Sequence, residues 1–246
     1  MYVTYKVGKL SDMLINEQFN TVLFDVDGTL FDTLPSLAAA NNIVLKQAGL
    51  REVSTPLLRA ALNEGLRAMF RKSIALQMAP VGAELATALE NEFLQQYMQH
   101  WLAAATLYPH LPHALSTLKQ LGLKLGICTN RDRASTEYLL AQSRVAEFFE
   151  LIVGLGDAPY PKPAADPLLL ALERMGGTAA DALFVGDSSI DATCARSADV
   201  RFAGHLGGYA VKPEDLEPNV FVFSDYGTLA NWIVGHQAAT DGGGHS

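Results

Sequence analysis

Short apolar runs alternate with amphipathic stretches along most of the 246 residues of this chain. A short apolar run between turn residues predicts a buried strand, and apolar residues three and four apart predict a helix. Because strands that alternate with helices pair in parallel, the pattern predicts an α/β protein: a doubly wound parallel sheet with helices on both faces. The predicted strands cover residues 21–25, 123–128, 149–153, 182–186, 200–203 and 220–223. The helices predicted among them cover residues 111–121, 134–143, 167–175 and 189–198.

One long interval lacks this alternation. From about residue 34 to about residue 108 the pattern is almost purely helical and rich in the helix formers Ala, Leu, Gln and Glu. It predicts an inserted all-helical cap domain over residues 35–108, between the core segments 1–34 and 109–246. The residues before position 20 and a C-terminal tail from about residue 237 are predicted to be loosely held.

Composition and charge indicate a globular protein and argue against nucleic acid and membranes as partners. The chain is 49% hydrophobic and 18% charged, as in soluble globular proteins. A formal net charge of -8 and the lack of any Lys/Arg run argue against a nucleic-acid surface. No apolar run approaches the ~18 residues that span a bilayer, and the N-terminus has no charged-then-apolar leader.

The two cysteines of the chain, Cys128 and Cys194, lie in apolar surroundings in the sequence. That setting is typical of reduced, buried thiols, which persist in the cytosol rather than in secreted proteins. The expected location is therefore the cytoplasm, with neither a membrane nor a nucleic acid as partner. The oligomeric state is left open between a monomer and a homodimer.

Two aspartates follow the first predicted strand. Asp25 and Asp27 share a face in extended backbone, and Gly28 permits a bend at which both carboxylates converge on one point. Three later motifs also follow strands: Thr129-Asn130, Lys162-Pro163, and Gly186-Asp187 with Asp191 one helical turn further on. Because ligands bind beyond the carboxyl ends of parallel strands, all four motifs are predicted to lie on one rim.

These residue types fit the hydrolysis of phosphate monoesters, which enzymes accelerate by up to ~10²¹-fold. A carboxylate nucleophile divides the reaction into two easier steps, and a second acid handles the protons. We therefore assign Asp25 as nucleophile, Asp27 as general acid and base, and Lys162 as a catalytic positive charge. Mg²⁺ prefers oxygen ligands and would neutralise phosphoryl charge.

The remaining candidates bind the metal or the substrate. The Asp25 and Asp187 carboxylates and the Asp27 backbone carbonyl would hold Mg²⁺, and Asp191 would support the ion without touching it. Thr129, Asn130 and Gly28 are assigned to the substrate site, with the Thr129 hydroxyl and the backbone around Asn130 gripping phosphoryl oxygens.

Two arginines of the cap, Arg67 and Arg71, are one helical turn apart and could receive a substrate carboxylate. A solvated charged face explains them equally well. Each core motif also has a structural explanation when taken alone, such as a hairpin turn at Asp27-Gly28 or a helix start at Thr129-Asn130. Their order and their common rim favour the catalytic explanation.

The set Asp-x-Asp-Gly-Thr, Thr-Asn, Lys-Pro and Gly-Asp-Ser-x-x-Asp resembles the haloacid dehalogenase superfamily over residues 21–223. The second aspartate of the first motif resembles the phosphatase branch. The run from Phe24 to Pro35, Tyr108-Pro109 and the segment 162–170 are similar to phosphoglycolate phosphatases. The resemblance implies a doubly wound core, a helical cap, Mg²⁺ dependence and an aspartyl-phosphate intermediate. The cap departs from that pattern: Gly65 alone remains of a two-glycine loop, and His110 replaces a glycine.

The sequence thus predicts a cytoplasmic, Mg²⁺-dependent phosphatase of this superfamily, with phosphoglycolate as the leading substrate. Nucleoside monophosphates or sugar phosphates are alternative substrates. A phosphosugar mutase on the same core and a non-catalytic binding module are alternative functions.

Overall fold

The structure, a computed structural model, describes residues 18–62, 64–100 and 105–241 of the chain. Its strands are β1 (Thr21–Phe24), β2 (Phe31–Asp32), β3 (Thr106–Leu107), β4 (Lys124–Cys128), β5 (Leu151–Val153), β6 (Ala182–Gly186), β7 (Arg201–His205) and β8 (Phe221–Phe223). Its α-helices are α1 (Leu34–Gln47), α2 (Thr55–Leu62), α3 (Leu66–Ala75), α4 (Ala83–His100), α5 (Leu111–Gln120), α6 (Arg133–Gln142), α7 (Asp166–Met175), α8 (Ser189–Ser197) and α9 (Tyr226–Asp241).

Six of these strands form a parallel sheet in the order β5-β4-β1-β6-β7-β8. All four residues of the central strand β1 are buried, as expected for a strand covered on both faces. Val22 and Phe24 belong to a hydrophobic cluster with residues of α5 and α9, whereas Leu23 belongs to a second cluster with residues of α7 and α8. Alternate side chains of β1 therefore enter two cores on opposite faces, which confirms the doubly wound parallel sheet.

The register of the central strands decides which residues meet at the rim. Phe24 at the end of β1 is level with Ile127 of β4 and with Val185 of β6. The residues that follow these positions therefore emerge side by side at the carboxyl edge, so Asp25, Thr129 and Asp187 become neighbours although they are distant in sequence.

Helices α1–α4 occupy the interval between β2 and β3. Phe70 of α3 stacks on Phe93 of α4 with ring centroids 4.8 Å apart. Strands β2 and β3 pair antiparallel, with Phe31 opposite Leu107, so the chain leaves and re-enters the sheet region at one place. The division into a cap domain over residues 35–108 and a two-segment core stays a prediction.

The six predicted strands are all present, with ends within two residues of the predicted ones. The main difference is at the C-terminus, where α9 continues to Asp241, past the position at which a loose tail was predicted. The Gln237 side chain holds Phe19 there: its amide donates to the Phe19 carbonyl (2.8 Å), and its oxygen accepts from the Phe19 N–H (3.0 Å). Residues 1–17 and 242–246 lie outside the described part of the chain.

Cys128 and Cys194 are buried free thiols, as predicted. Across the described ranges, no helix combines the length and the apolar character that crossing a bilayer requires.

Candidate active site

Three carboxylates meet where β1 and β6 end. Asp25 directly follows β1, Asp187 directly follows β6, and Asp191 lies in the first turn of α8. Each offers an oxygen within 4.8 Å of an oxygen of the other two, and all three side chains are buried. Asp191 is fixed by the start of its own helix, because its Oδ2 accepts hydrogen bonds from the Ser188 hydroxyl (2.6 Å) and the Ser188 N–H (3.1 Å).

Lys162 brings a positive charge into this cluster. Its Nζ lies 2.7 Å from Asp25 Oδ1 and 2.6 Å from Asp191 Oδ1. The Asn130 side chain fixes the lysine backbone: Nδ2 donates to the Lys162 carbonyl (2.9 Å), and Oδ1 accepts from the Lys162 N–H (3.0 Å). The side chain of Asn130 therefore positions the lysine, so only the backbone around it remains for the predicted contact with substrate.

The electrostatics of the cluster fit a divalent cation. Burial and the neighbouring Asp191 raise the pKa of Asp25 to about 6, and burial together with Asp191 and Asp25 raises that of Asp187 well above its ordinary value. Burial alone would lower the pKa of Lys162, but Asp191 and Asp25 raise it well above its ordinary value. When ionised, three carboxylates face one ammonium group, and the hydrogen bonds to Asp187 come from neutral groups, the Thr29 hydroxyl and the Tyr209 N–H. A hard cation with oxygen ligands would supply the missing positive charge.

Two glycines leave room for the Asp187 carboxylate. Gly28 has a φ of 80°, and a Cβ on it would lie 2.1 Å from Asp187 Oδ2. A Cβ on Gly208 would lie 2.2 Å from the same oxygen and 2.2 Å from the Gly28 carbonyl oxygen. Gly28 is thus needed both for the predicted bend and to leave room for the Asp187 side chain. It was assigned to the substrate site, but it is not among the residues that line the cavity described below.

Gly208→Ala is expected to lower the free energy of unfolding by about 1–3 kcal/mol, because the new methyl group overlaps Asp187 and the Gly28 backbone. Gly235→Ala is the matched control, since its Cβ would meet nothing within 4 Å in helix α9. That change should instead raise the free energy of unfolding by about 0.5–1 kcal/mol. Urea denaturation of both variants measures the contrast, and equal effects would contradict the packing described for Gly208.

The clustered residues line a cavity of about 640 Å³. Asp25, Asp187, Asp191, Lys162 and Thr129 contribute to its wall at the sheet edge. Apolar side chains of the helices between β2 and β3 form much of the remainder: Leu37, Leu62, Leu66 and Leu94. The cavity therefore combines a strongly charged end with an apolar body.

Comparison with known proteins identifies the family of this chain. The family model described as "haloacid dehalogenase-like hydrolase" matches residues 22–205. The chain belongs to this family. A phosphoglycolate phosphatase of Caulobacter vibrioides is 35% identical over 83% of this chain and 86% of its own length. An N-acetylmuramic acid 6-phosphate phosphatase of Pseudomonas putida is 33% identical over 82% of this chain and 88% of its own length.

A solved structure described as a predicted phosphoglycolate phosphatase from Haemophilus somnus superposes with a TM-score of 0.76 and 25% identity. The match covers 87% of this chain and 98% of that one. The family and its α/β fold are therefore as predicted from the sequence motifs.

Asp27 in this haloacid dehalogenase-like hydrolase lines the same cavity as Asp25, but its carboxylate has different partners. Arg131 Nε lies 2.9 Å from Asp27 Oδ2, and Arg131 Nη2 lies 2.6 Å from Asp27 Oδ1. The Tyr97 hydroxyl, from α4, donates to Asp27 Oδ1 at 3.2 Å. Burial alone would raise the pKa of Asp27, but the guanidinium of Arg131 holds it below its ordinary value. The two carboxylates thus line one cavity and have different hydrogen-bond partners.

The two arginines that α3 contributes, Arg67 and Arg71, differ in position. Arg67 lines the cavity, with Nη1 2.5 Å from Glu90 Oε1. Arg71 pairs with the same carboxylate, Nε lying 2.7 Å from Glu90 Oε2, and it is not among the residues that line the cavity. The structure thus retains Arg67 as a candidate for substrate binding and places Arg71 outside the cavity wall.

Sequence reasoning missed Arg131, Tyr97 and Tyr209 of this hydrolase. Arg131 could have been found from its position directly after Thr129-Asn130. Tyr209 could have been found because it follows two glycines in the segment after β7, at the same edge of the sheet. Tyr97 carries no such signal, because it lies inside the predicted helical interval and follows no strand. Thr29, the last residue of the first motif, donates its hydroxyl hydrogen to Asp187 (3.1 Å), a distant contact that its position in the sequence does not indicate.

Proposed function

We propose that this chain is a cytoplasmic, Mg²⁺-dependent phosphomonoesterase that hydrolyses a small phosphorylated metabolite through an aspartyl-phosphate on Asp25. The observation that carries the proposal is the meeting of Asp25, Lys162, Asp187 and Asp191 at the charged end of one cavity. Family membership and relatives named as phosphatases support the same reaction class.

In the first step, the Asp25 carboxylate attacks phosphorus and the ester oxygen departs as an alcohol after protonation by Asp27. Lys162, with the Thr129 hydroxyl, would bind the phosphoryl oxygens as their charge changes. Mg²⁺, held by Asp25, Asp187 and the Asp27 backbone carbonyl, would supply further positive charge to the phosphoryl group. Asp191 would keep both Lys162 and the metal site in place.

In the second step, Asp27 takes a proton from the water that hydrolyses the aspartyl-phosphate. The ion pair with Arg131 favours the ionised form of Asp27, which is the form that a general base requires. Helices α1–α4, which contribute side chains to the cavity, would exclude bulk water from this intermediate.

Phosphoglycolate is the leading substrate, because several relatives carry that name and the finer motifs resemble those enzymes. A sugar phosphate is the second candidate. Pockets of about 300–1,000 Å³ accommodate drug-sized ligands, so a cavity of about 640 Å³ has room for a molecule larger than a two-carbon acid. The similarity to an N-acetylmuramic acid 6-phosphate phosphatase points in the same direction.

Assay of the purified chain with Mg²⁺, against p-nitrophenyl phosphate and a panel of metabolites, is expected to release inorganic phosphate. The panel should contain phosphoglycolate, nucleoside monophosphates and hexose phosphates, so that it covers the candidate substrates. Formation of a phosphorylated isomer without net phosphate release would favour a mutase. Absence of turnover with every compound would contradict the enzyme proposal and favour a binding module.

A further inference from the structure

We propose that Arg131 is a specificity-determining residue that binds a carboxylate of the substrate, giving up its bond to Asp27 on doing so. The inference rests on the proposed phosphatase function and deepens it, because it defines the substrate as a phosphomonoester with a carboxylate close to the phosphoester. Neither the motifs nor the names of the relatives assign a role to this arginine.

Arg131 is anchored next to the groups that would bind phosphate. It follows Thr129-Asn130 at the carboxyl end of β4, and its backbone N–H donates to the Thr129 hydroxyl oxygen (3.2 Å). Its side chain is only 4% exposed, yet it lines the cavity together with Asp25 and Thr129. A fixed guanidinium group therefore faces the substrate space within reach of the phosphoryl site.

The ion pair with Asp27 shows which kind of ligand this guanidinium group binds. Nε and Nη2 contact the two oxygens of one carboxylate at 2.9 and 2.6 Å, the paired geometry that distinguishes arginine from lysine. A substrate carboxylate offers the same two oxygens. Asp27 would keep the Tyr97 hydroxyl, 3.2 Å from Oδ1, and its side chain is 22% exposed, so the exchange does not leave it without a partner.

The other cations on the described cavity wall are less suited to this role. Lys162 is 2% exposed and already contacts Asp25 and Asp191 at the phosphoryl end. Arg67 is 59% exposed and is paired with Glu90 on the cap side. Because charge interactions are stronger when they are shielded from water, the buried guanidinium of Arg131 gives the larger discrimination between acidic and neutral substrates.

The test compares 2-phosphoglycolate with 2-hydroxyethyl phosphate, which replaces the carboxylate by a neutral hydroxymethyl group, at saturating Mg²⁺. The wild-type chain is expected to favour the acidic compound by roughly 10- to 100-fold in kcat/KM. Arg131→Met should bring the two compounds close to equality, and Arg131→Lys should give an intermediate ratio. Arg133→Met is the matched control, because Arg133 pairs with Asp157 and does not line the cavity, and its ratio should equal that of the wild type.

A wild-type ratio of the two kcat/KM values in Arg131→Met would overturn the proposal. So would a ratio that falls to about one in Arg67→Met and not in Arg131→Met. If Arg131→Met does not fold, Arg131→Lys decides, because it keeps the charge and loses the paired geometry; a wild-type ratio there also overturns the proposal. Failure of the proposed phosphatase function looks different, since no phosphomonoester, p-nitrophenyl phosphate included, would then be hydrolysed by the wild type.

Discussion

Asp25→Asn is expected to lower phosphomonoester hydrolysis by roughly 10⁴-fold or more, because an amide cannot form the acyl-phosphate that the proposed mechanism requires in both steps. The change is nearly isosteric. It preserves the shape of the cluster around Lys162 and removes the nucleophilic oxygen. Release of inorganic phosphate measures the loss of turnover, and acid quenching with a radiolabelled substrate tests for the phosphorylated protein, which should be absent.

Asp181→Asn is the matched control for this experiment. Asp181 precedes β6, at the opposite end of the strand from Asp187, and its carboxylate accepts hydrogen bonds from Thr178 and Asn20. Its replacement should leave turnover close to that of the wild type. Wild-type rates in Asp25→Asn would falsify the assignment of the nucleophile, whatever the control shows.

Removal of divalent cations is expected to abolish turnover, and addition of Mg²⁺ should restore it. It should also change stability in a pH-dependent way. The pKa of Asp25 is raised from 3.8 to about 6, so between these values the folded protein holds a proton that the unfolded chain has released. The metal-free protein should therefore lose stability as the pH rises through this window. Mg²⁺ favours the ionised carboxylates, so its stabilising effect should grow with pH.

Thermal unfolding at pH 5 and pH 8, each with EDTA or with Mg²⁺, measures this effect. At pH 8 and a Mg²⁺ concentration about 100 times the Kd, we expect Tm to rise by about 5 °C or more. At pH 5 the rise should be smaller. Asp187→Asn should retain the fold and lose most of the Mg²⁺-dependent rise, because Asp187 is a predicted ligand. Metal-independent turnover, or the same Tm with and without Mg²⁺ at pH 8, would contradict the metal site.

The local sequence pattern was sufficient to predict the strands of the sheet and the residues at its carboxyl edge. The six main strands are short apolar runs, and burial on both faces leaves few alternatives for such runs. Asp25, Thr129 and Asp187 follow strands of the same direction, so the rule that ligands bind at the carboxyl ends of parallel strands predicted their common edge. Lys162 was predicted on the same reasoning, from the loop after β5, and it contacts Asp25 in the structure.

The partners of these residues depended on the tertiary structure. Arg131 meets Asp27 across 104 positions, and Thr29 meets Asp187 across 158. Such pairs follow from the register of strands that are distant in the chain, which no sequence window contains. For the same reason Arg71, spaced like Arg67 along one helix, lies off the cavity wall, since spacing defines a face without deciding what that face contacts. The amino-acid order determined which chemical groups reach the rim, and the packing of distant segments decided which of them touch.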